Sequence, residues 1–173
     1  MRRPYSLTQP HGWIVTGLLV VLLGGKLDRL SPDERAHWRA LRVFVEDRDQ
    51  RRWLKLKTEE ERNAWLKEHG LWDRYYSNDP ATRELILAGD VQLGWDRYQL
   101  YMAWGQPSQK LRMTGRSAVR SERLVYRFEV DEEGFASPLV GDKVDHRAVD
   151  RYQVNVILDD DTITQILELD DWD

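Results

Sequence analysis

The sequence predicts an α+β domain in which N-terminal helices pack on a small three-stranded antiparallel sheet. Helix-capping residues recur between residues 31 and 107, and apolar residues alternate with polar ones in the C-terminal third, as in half-buried strands. Helices followed by strands are typical of a two-layer arrangement. At 173 residues the chain is long enough to bury its own hydrophobic core.

Residues 1–30 predict a membrane segment or a signal-like region. Arg2 and Arg3 precede an uncharged run at residues 13–25 (WIVTGLLVVLLGG). This run is shorter than the roughly 20 apolar residues of a spanning helix and has the length of a signal-peptide core. The two arginines favour an N-inside orientation, with the body of the protein outside the cytoplasm. We expect a short, uncleaved anchor; the alternative is a buried helix of a cytosolic protein.

Residues 31–57 predict an amphipathic, highly charged helix. Ser31 and Glu34 form a capping box, with Pro32 at the first helical position. Apolar residues follow at three- and four-residue spacings, which favours a helix; they are Ala36, Trp38, Leu41, Phe44 and Val45. The polar run at residues 46–52 (EDRDQRR) is expected to be a solvated helix face or a bend.

Residues 58–173 predict the α+β domain itself, and its first part contains further helix starts. Thr58 and Glu61 form a second capping box, and Gly70 ends that helix. Residues 71–76 (LWDRYY) are expected to form an aromatic-rich connector. Asp79 and Pro80 begin a short helix that ends near Ala88.

One more helix precedes the sheet. Asp96 and Gln99 form a third capping box. The helix ends at Trp104, where Gly105 is expected to adopt the left-handed conformation and Pro107 prevents continuation.

Three strands are predicted in the C-terminal third, separated by turn signals at residues 131–149 and 159–162. Residues 111–113 are a candidate for an additional short strand. The alternating apolar residues of the first strand are Leu124, Tyr126, Phe128 and Val130, and those of the second are Tyr152, Val154, Val156 and Leu158. The apolar residues of the third strand are Ile163, Ile166, Leu167 and Leu169.

The glycine and proline positions within residues 86–107 (ILAGDVQLGWDRYQLYMAWGQP), followed only by strands, resemble the SmpA/OmlA (BamE-like) small envelope lipoprotein domain. The match covers roughly residues 84–169, with Trp95 at a position where the family often has methionine. The resemblance implies a non-enzymatic envelope domain that binds other proteins and supports outer-membrane assembly. The family's lipid attachment is impossible here, because Lys26 stands at the position of the lipidated cysteine.

A weaker resemblance links the chain to the GWxTD-type domain. It rests on the glutamate-rich helix, on Gly94 and Trp95, and on the Gly-x-Pro turn at residues 105–107. Asp96 and Arg97 replace the expected Thr-Asp. This family also implies a non-enzymatic envelope domain.

The composition excludes several classes of function. The chain contains no cysteine, so disulfides, thiolate catalysis and cysteine-zinc sites are excluded. Its net charge of −4 argues against a nucleic-acid partner. The three aspartates at residues 159–161 favour a turn over a cation site, and His146 has no partner that would make a catalytic triad. No cofactor, metal site or catalytic residue is predicted.

Two sets of residues are candidates for partner binding. The first comprises Trp72, Tyr75 and Tyr76, expected as exposed anchors, whereas Trp95 and Trp104 are expected in the core. The second is a basic segment with Arg112, Arg116 and Arg120, suited to an acidic partner or an anionic headgroup.

These observations together predict a scaffold or accessory subunit of the bacterial cell envelope. Its partners are the membrane, through the N-terminal segment, and other envelope proteins; no oligomeric state is indicated. The alternatives are a GWxTD-like, inhibitor or ligand-binding module of the same architecture and a cytosolic interaction protein.

Overall fold

A computed structural model describes residues 27–139 and 148–169, in which helices precede an antiparallel sheet and confirm the α+β class. The apolar run at 13–25 and His146 lie outside the described residues. The helices are α1 (Pro32–Leu41), a 3-10 turn (Arg42–Phe44), α2 (Asp47–Trp53), α3 (Glu59–Glu68), α4 (Leu71–Tyr76), α5 (Pro80–Ala88) and α6 (Arg97–Trp104). Across the described ranges no helix has both the length and the apolar character needed to cross a membrane.

The capping signals place the helix starts correctly. The side chain of each cap residue accepts a hydrogen bond from the backbone N–H three residues later. The side chain of that later residue accepts in turn from the backbone N–H of the cap residue. The three pairs are Ser31 with Glu34, Thr58 with Glu61, and Asp96 with Gln99. Asp79 caps α5 through the N–H of Thr82, at 2.9 Å. Each bond satisfies a donor that the first turn of a helix would otherwise leave unpaired.

Three local expectations were wrong. Residues 31–57 form two helices, α1 and α2, and not one, because the backbone is extended at Val45 and Glu46. Residues 71–76 are helix α4 and no connector; this helix starts directly after Gly70, which has a left-handed conformation with φ 65° and ψ 18°. Gly105 has a positive φ of 81°, but its ψ of −160° lies outside the left-handed helical region. Only glycine adopts that combination readily, so Gly105 redirects the chain from α6 toward the sheet.

The sheet is wider than the expected three strands. Its strands are β1 (Gln109–Met113), β2 (Ser121–Val130), β3 (Ala136–Pro138), β4 (Asp150–Asp159) and β5 (Thr162–Leu169). The order is β1-β2-β4-β5, and β3 pairs with β2 beyond the end of β1. The three long strands are the predicted ones. The two extra strands are short. Strand β1 contains the candidate strand at residues 111–113, whereas β3 lies in the segment expected to be irregular.

The helices cover one face of the sheet. Along β2, Leu124, Tyr126 and Phe128 point to that face and stand opposite Val156, Val154 and Tyr152 of β4. They join one hydrophobic cluster with Trp38 of α1 and Trp53 of α2. The core is therefore continuous across residue 57. As expected, Trp95 is buried, and Trp104 is half-buried against the same cluster.

A short backbone connection fastens α6 to the sheet. Gly94 N–H donates to the carbonyl of Ile163 at 2.8 Å, and Ile163 N–H donates to the carbonyl of Trp95 at 2.8 Å. The side chain of Arg97 then binds both Glu122 and Asp161. These contacts fix the start of α6 at the β4–β5 turn, which orients the helical layer on the sheet.

Candidate functional site

An aromatic cluster forms around helix α4. Trp72 and Tyr76, four residues apart on one helix face, stack with ring centroids 4.1 Å apart. Tyr75 meets Tyr76 edge to face at 5.1 Å. The ring of His37 from α1 makes edge contacts with all three rings, at 5.8 to 6.4 Å. We call these four residues the α4 cluster.

The α4 cluster is more buried than the sequence suggested. Tyr75 is only 4% exposed and belongs to the core, so its expected exposure was wrong. Trp72 and Tyr76 are half-buried and pack against the core. These two rings are therefore the members of the predicted set that still reach the surface.

His37 is the buried polar member of the α4 cluster. Its Nδ1 shares a hydrogen bond of 2.9 Å with the hydroxyl of Tyr76. Its Nε2 is buried and has no hydrogen-bond partner among the described residues. Burial lowers the pKa of His37 to about 4, against the opposing charges of Glu34 and Asp33. His37 is thus neutral at physiological pH.

Two cations flank the exposed side of the cluster. The Nζ of Lys67 lies 4.8 Å from the centroid of the Trp72 ring. The guanidinium of Arg83 lies 5.2 Å from the centroid of the Tyr76 ring. Both distances suit cation–π attraction. Burial raises the pKa of Tyr76, and the exposed carboxylates of Asp33 and Glu59 also act on it and help to raise its pKa. The surface around Trp72 and Tyr76 is consequently apolar at its centre and carries charges of both signs at its margin.

Helices α1 and α3, which contact the cluster through His37 and Lys67, are joined by a buried ion pair. Glu34 and Arg62 are buried and form a bidentate pair, with Nε–Oε1 and Nη2–Oε2 distances of 2.5 and 3.1 Å. Burial raises the pKa of Glu34, but the hydrogen bonds from Arg62 and Ser31 outweigh it, so the pKa is lowered overall. Glu34 therefore stays ionised and paired with Arg62.

The predicted basic segment does not form one cationic surface. Arg112 lies exposed on β1, in register with Glu122. Arg116 forms a bidentate ion pair with Asp159 at 2.8 and 2.5 Å, and Arg120 pairs with Glu122 at 3.0 Å. Two of the three arginines are therefore held by carboxylates of the same surface.

The three adjacent aspartates form the predicted turn. Asp160 and Asp161 have positive φ values of 48° and 66°, as a two-residue hairpin turn of this hand requires. Hydrogen bonds from Arg116, Ser121 and Thr164 hold the pKa of Asp159 well below its usual range. In the described part of the chain, no three His, Asp or Glu side chains are grouped to hold a metal ion.

Two features of the structure were not anticipated from the sequence. His37 precedes Leu41 by four residues, a spacing that places it on the buried face of α1. Arg74 lies between the rings of Phe44 and Tyr98, at 4.6 and 4.3 Å from their centroids. It lines a cavity of about 360 Å³. No sequence signal joins these three residues, because they come from three separate elements.

The strongly perturbed groups of the described region are in ion pairs or under packed rings, and none faces a cavity as a free acid or base. Comparison with protein-family models, with curated proteins and with solved structures finds no match for this chain.

Proposed function

We propose that this protein is a non-enzymatic scaffold or accessory subunit of the cell envelope that binds a partner protein through Trp72 and Tyr76. One observation supports this most directly: the two stacked rings reach the surface from a helix whose opposite side is fixed in the core. Aromatic residues on rigid supports commonly dominate the binding energy of protein interfaces.

The surroundings of the two rings indicate the chemistry of the partner. Lys67 and Arg83 favour acidic groups at the margin of the interface. The Nε1 of Trp72 makes no hydrogen bond to a described residue, whereas Trp53 and Trp104 bond to the carbonyls of Arg62 and Gly89. Asp33 and Glu59, near Tyr76, favour basic groups beside them. The partner segment therefore combines apolar side chains and a hydrogen-bond acceptor with charges of both signs.

The envelope location rests on the apolar run at residues 13–25 and on the resemblance to the SmpA/OmlA domain, which also supports a role in outer-membrane assembly. Full-length protein should pellet with membranes and be released by detergent but not by high salt. Recovery in the soluble cytosolic fraction would support the cytosolic alternative.

The charged residues that flank the apolar run favour a second candidate location. Arg2 and Arg3 precede the run, but five cations follow it within residues 26–42: Lys26, Arg29, Arg35, Arg39 and Arg42. By the positive-inside rule, this larger excess favours a membrane-bound interaction protein with its body in the cytoplasm. Reporter fusions at both ends distinguish the locations, because an outer-membrane assembly role requires the body outside.

The partner surface is tested by site-specific crosslinking in cells. A photo-crosslinking aromatic amino acid at position 72 should yield a discrete adduct, because it replaces one aromatic ring with another at the proposed contact. The control is the same amino acid at Val119, which is 95% exposed and lies in the β1–β2 loop. The same adducts at both positions, or none at position 72, would contradict the proposal.

A substitution pair complements the crosslinking. Trp72→Ala should weaken partner binding at least tenfold, whereas Trp65→Ala should leave it within about twofold, given the behaviour of interface hot spots. Trp65 is a suitable control because it is also half-buried and lies on the neighbouring helix α3, stacked on His69 at 3.7 Å. Tyr76 is left intact because its hydroxyl is bonded to His37.

A further inference from the structure

We infer that the cationic face of helix α2 docks on the anionic headgroups of the membrane that residues 13–25 enter. This face consists of exposed cations on α2 and just after it: Arg48, Arg51, Arg52, Lys55 and Lys57. The inference shares the membrane anchor with the proposed function and is independent of the partner surface on α4.

The cations of this face are available to a ligand in solution. The side chains of Arg48 and Arg52 are 71% and 64% exposed. Both form ion pairs with the same carboxylate, that of Asp49, at 3.6 and 3.1 Å. Exposed ion pairs of this kind are weak, so a lipid phosphate can compete with them. Arg48, Arg51, Arg52 and Lys55, with Asp47, also line a hollow of about 400 Å³.

The charges of α2 are separated along its length. The acidic residues Glu46, Asp47 and Asp49 lie at its N-terminal end, and the cations are concentrated toward and beyond its C-terminal end. This pattern complements the helix dipole. It also leaves the C-terminal end of α2 with an excess of positive charge.

The same end of α2 lies beside the start of the described chain. The Nη2 of Arg29 donates to the carbonyls of Leu54 and Leu56, just after α2. Leu30 is buried in the core and fixes this position. The described chain therefore begins within the reach of one arginine side chain from the residues on either side of Lys55. An anchor inserted at residues 13–25 would hold the cationic face near the headgroups.

The distribution of charge over the whole chain favours this orientation. Residues 1–57 contain 12 Lys and Arg against 6 Asp and Glu, whereas residues 58–173 contain 14 against 24. The two parts have net charges of +6 and −10. An anionic surface attracts the first part and repels the second. Attraction of this kind acts within about 10 Å of the surface at ordinary ionic strength.

The test is flotation of the full-length protein with vesicles. One set contains phosphatidylcholine alone, and in the other a third of the lipid is phosphatidylglycerol. The test variant combines Arg48→Gln, Arg51→Gln and Arg52→Gln. The control combines Arg112→Gln, Arg120→Gln and Arg123→Gln, which removes the same charge from exposed residues of β1, the β1–β2 loop and β2.

Anionic lipid should strengthen binding of the native protein at least tenfold, since each cation near the surface contributes about fivefold. The α2 variant should lose most of this gain, the control should keep it, and high salt should remove it. No gain for the native protein, or an equal loss in both variants, would overturn the inference. Failure to float with neutral vesicles would instead count against the anchor, and crosslinking at Trp72 separately tests the proposed partner surface.

Discussion

His37 connects the surface rings of the α4 cluster to the interior. It is 1% exposed, and only Nδ1 has a hydrogen-bond partner among the described residues, the hydroxyl of Tyr76. Protonation would place a positive charge at a buried site in which Arg62 also disfavours it, although Glu34 and Asp33 partly compensate. The neutral imidazole is therefore part of the folded structure.

This burial makes stability depend on pH. The pKa of His37 is about 4 in the folded protein and about 6.5 in an unfolded chain. As pH falls through this interval, the unfolded chain binds the proton first, so the free energy of unfolding should decrease. The decrease attributable to His37 between neutral pH and pH about 4 should be on the order of 3 kcal/mol. Urea titrations at several pH values measure it.

Two variants isolate the contribution of His37. His37→Phe should flatten the pH dependence in this interval, because the replacement cannot titrate. His69→Gln, which removes an exposed histidine, is the matched control. An unchanged slope in His37→Phe would show that other groups cause the acid sensitivity.

At the scale of elements, the pair of Glu34 and Arg62 joins α1 to α3. Arg62 also donates to the carbonyl of Leu56 at 2.9 Å, and its own carbonyl accepts from the indole of Trp53 at 3.1 Å. Trp53 in turn stacks on Trp38 at 3.9 Å. One buried polar contact therefore organises three helices around an aromatic pair.

Replacing one member of this ion pair should lower the free energy of unfolding far more than replacing both members. Arg62→Met leaves the Glu34 carboxylate buried without its partner and should cost about 3–5 kcal/mol in the free energy of unfolding. Adding Glu34→Leu removes the stranded charge and should restore much of that loss. Denaturant unfolding of the two single variants and the double variant measures the coupling. Additive losses would show that the charges act independently.

At the scale of the molecule, the helical layer is one unit with the sheet. Trp38 and Trp53 lie in the same hydrophobic cluster as β2 and β4, so residues 31–57 contribute to the core of the C-terminal part. The connection of residues 94–97 to the β4–β5 turn fixes the layer at its other end. The resulting two-layer structure positions α2 and α4 as separate surfaces.

Deletion of residues 1–57 should therefore prevent folding, whereas deletion of residues 1–26 should not. The longer deletion exposes the core where two large indoles had packed and removes the partner of Arg62. Near-ultraviolet circular dichroism and amide NMR spectra report the fixed packing of each fragment. A well-folded fragment of residues 58–173 would show that the two parts are independent domains.

The local features of this protein can be predicted from its sequence. Each helix cap involves residues three positions apart, so Ser31 with Glu34 and Asp96 with Gln99 are visible in the sequence. The long strands β2, β4 and β5 could also be predicted, because their burial on one face imposes an alternating pattern. The turn at Asp160 and Asp161 follows from residue preference alone.

The contacts between distant side chains follow from tertiary packing and could not be predicted from the sequence. The short strands β1 and β3 form by pairing with the same edge of β2. The burial of Tyr75 depends on how α1 and α5 pack around α4. Glu34 binds Arg62, which lies 28 residues away in the sequence. Arg97 binds Asp161, which lies 64 residues away. Such contacts depend on how elements pack, which a pattern of neighbouring residues does not encode. The α4 cluster therefore emerges only in the folded chain, whereas most cations of α2 are already visible in the polar run at residues 46–52.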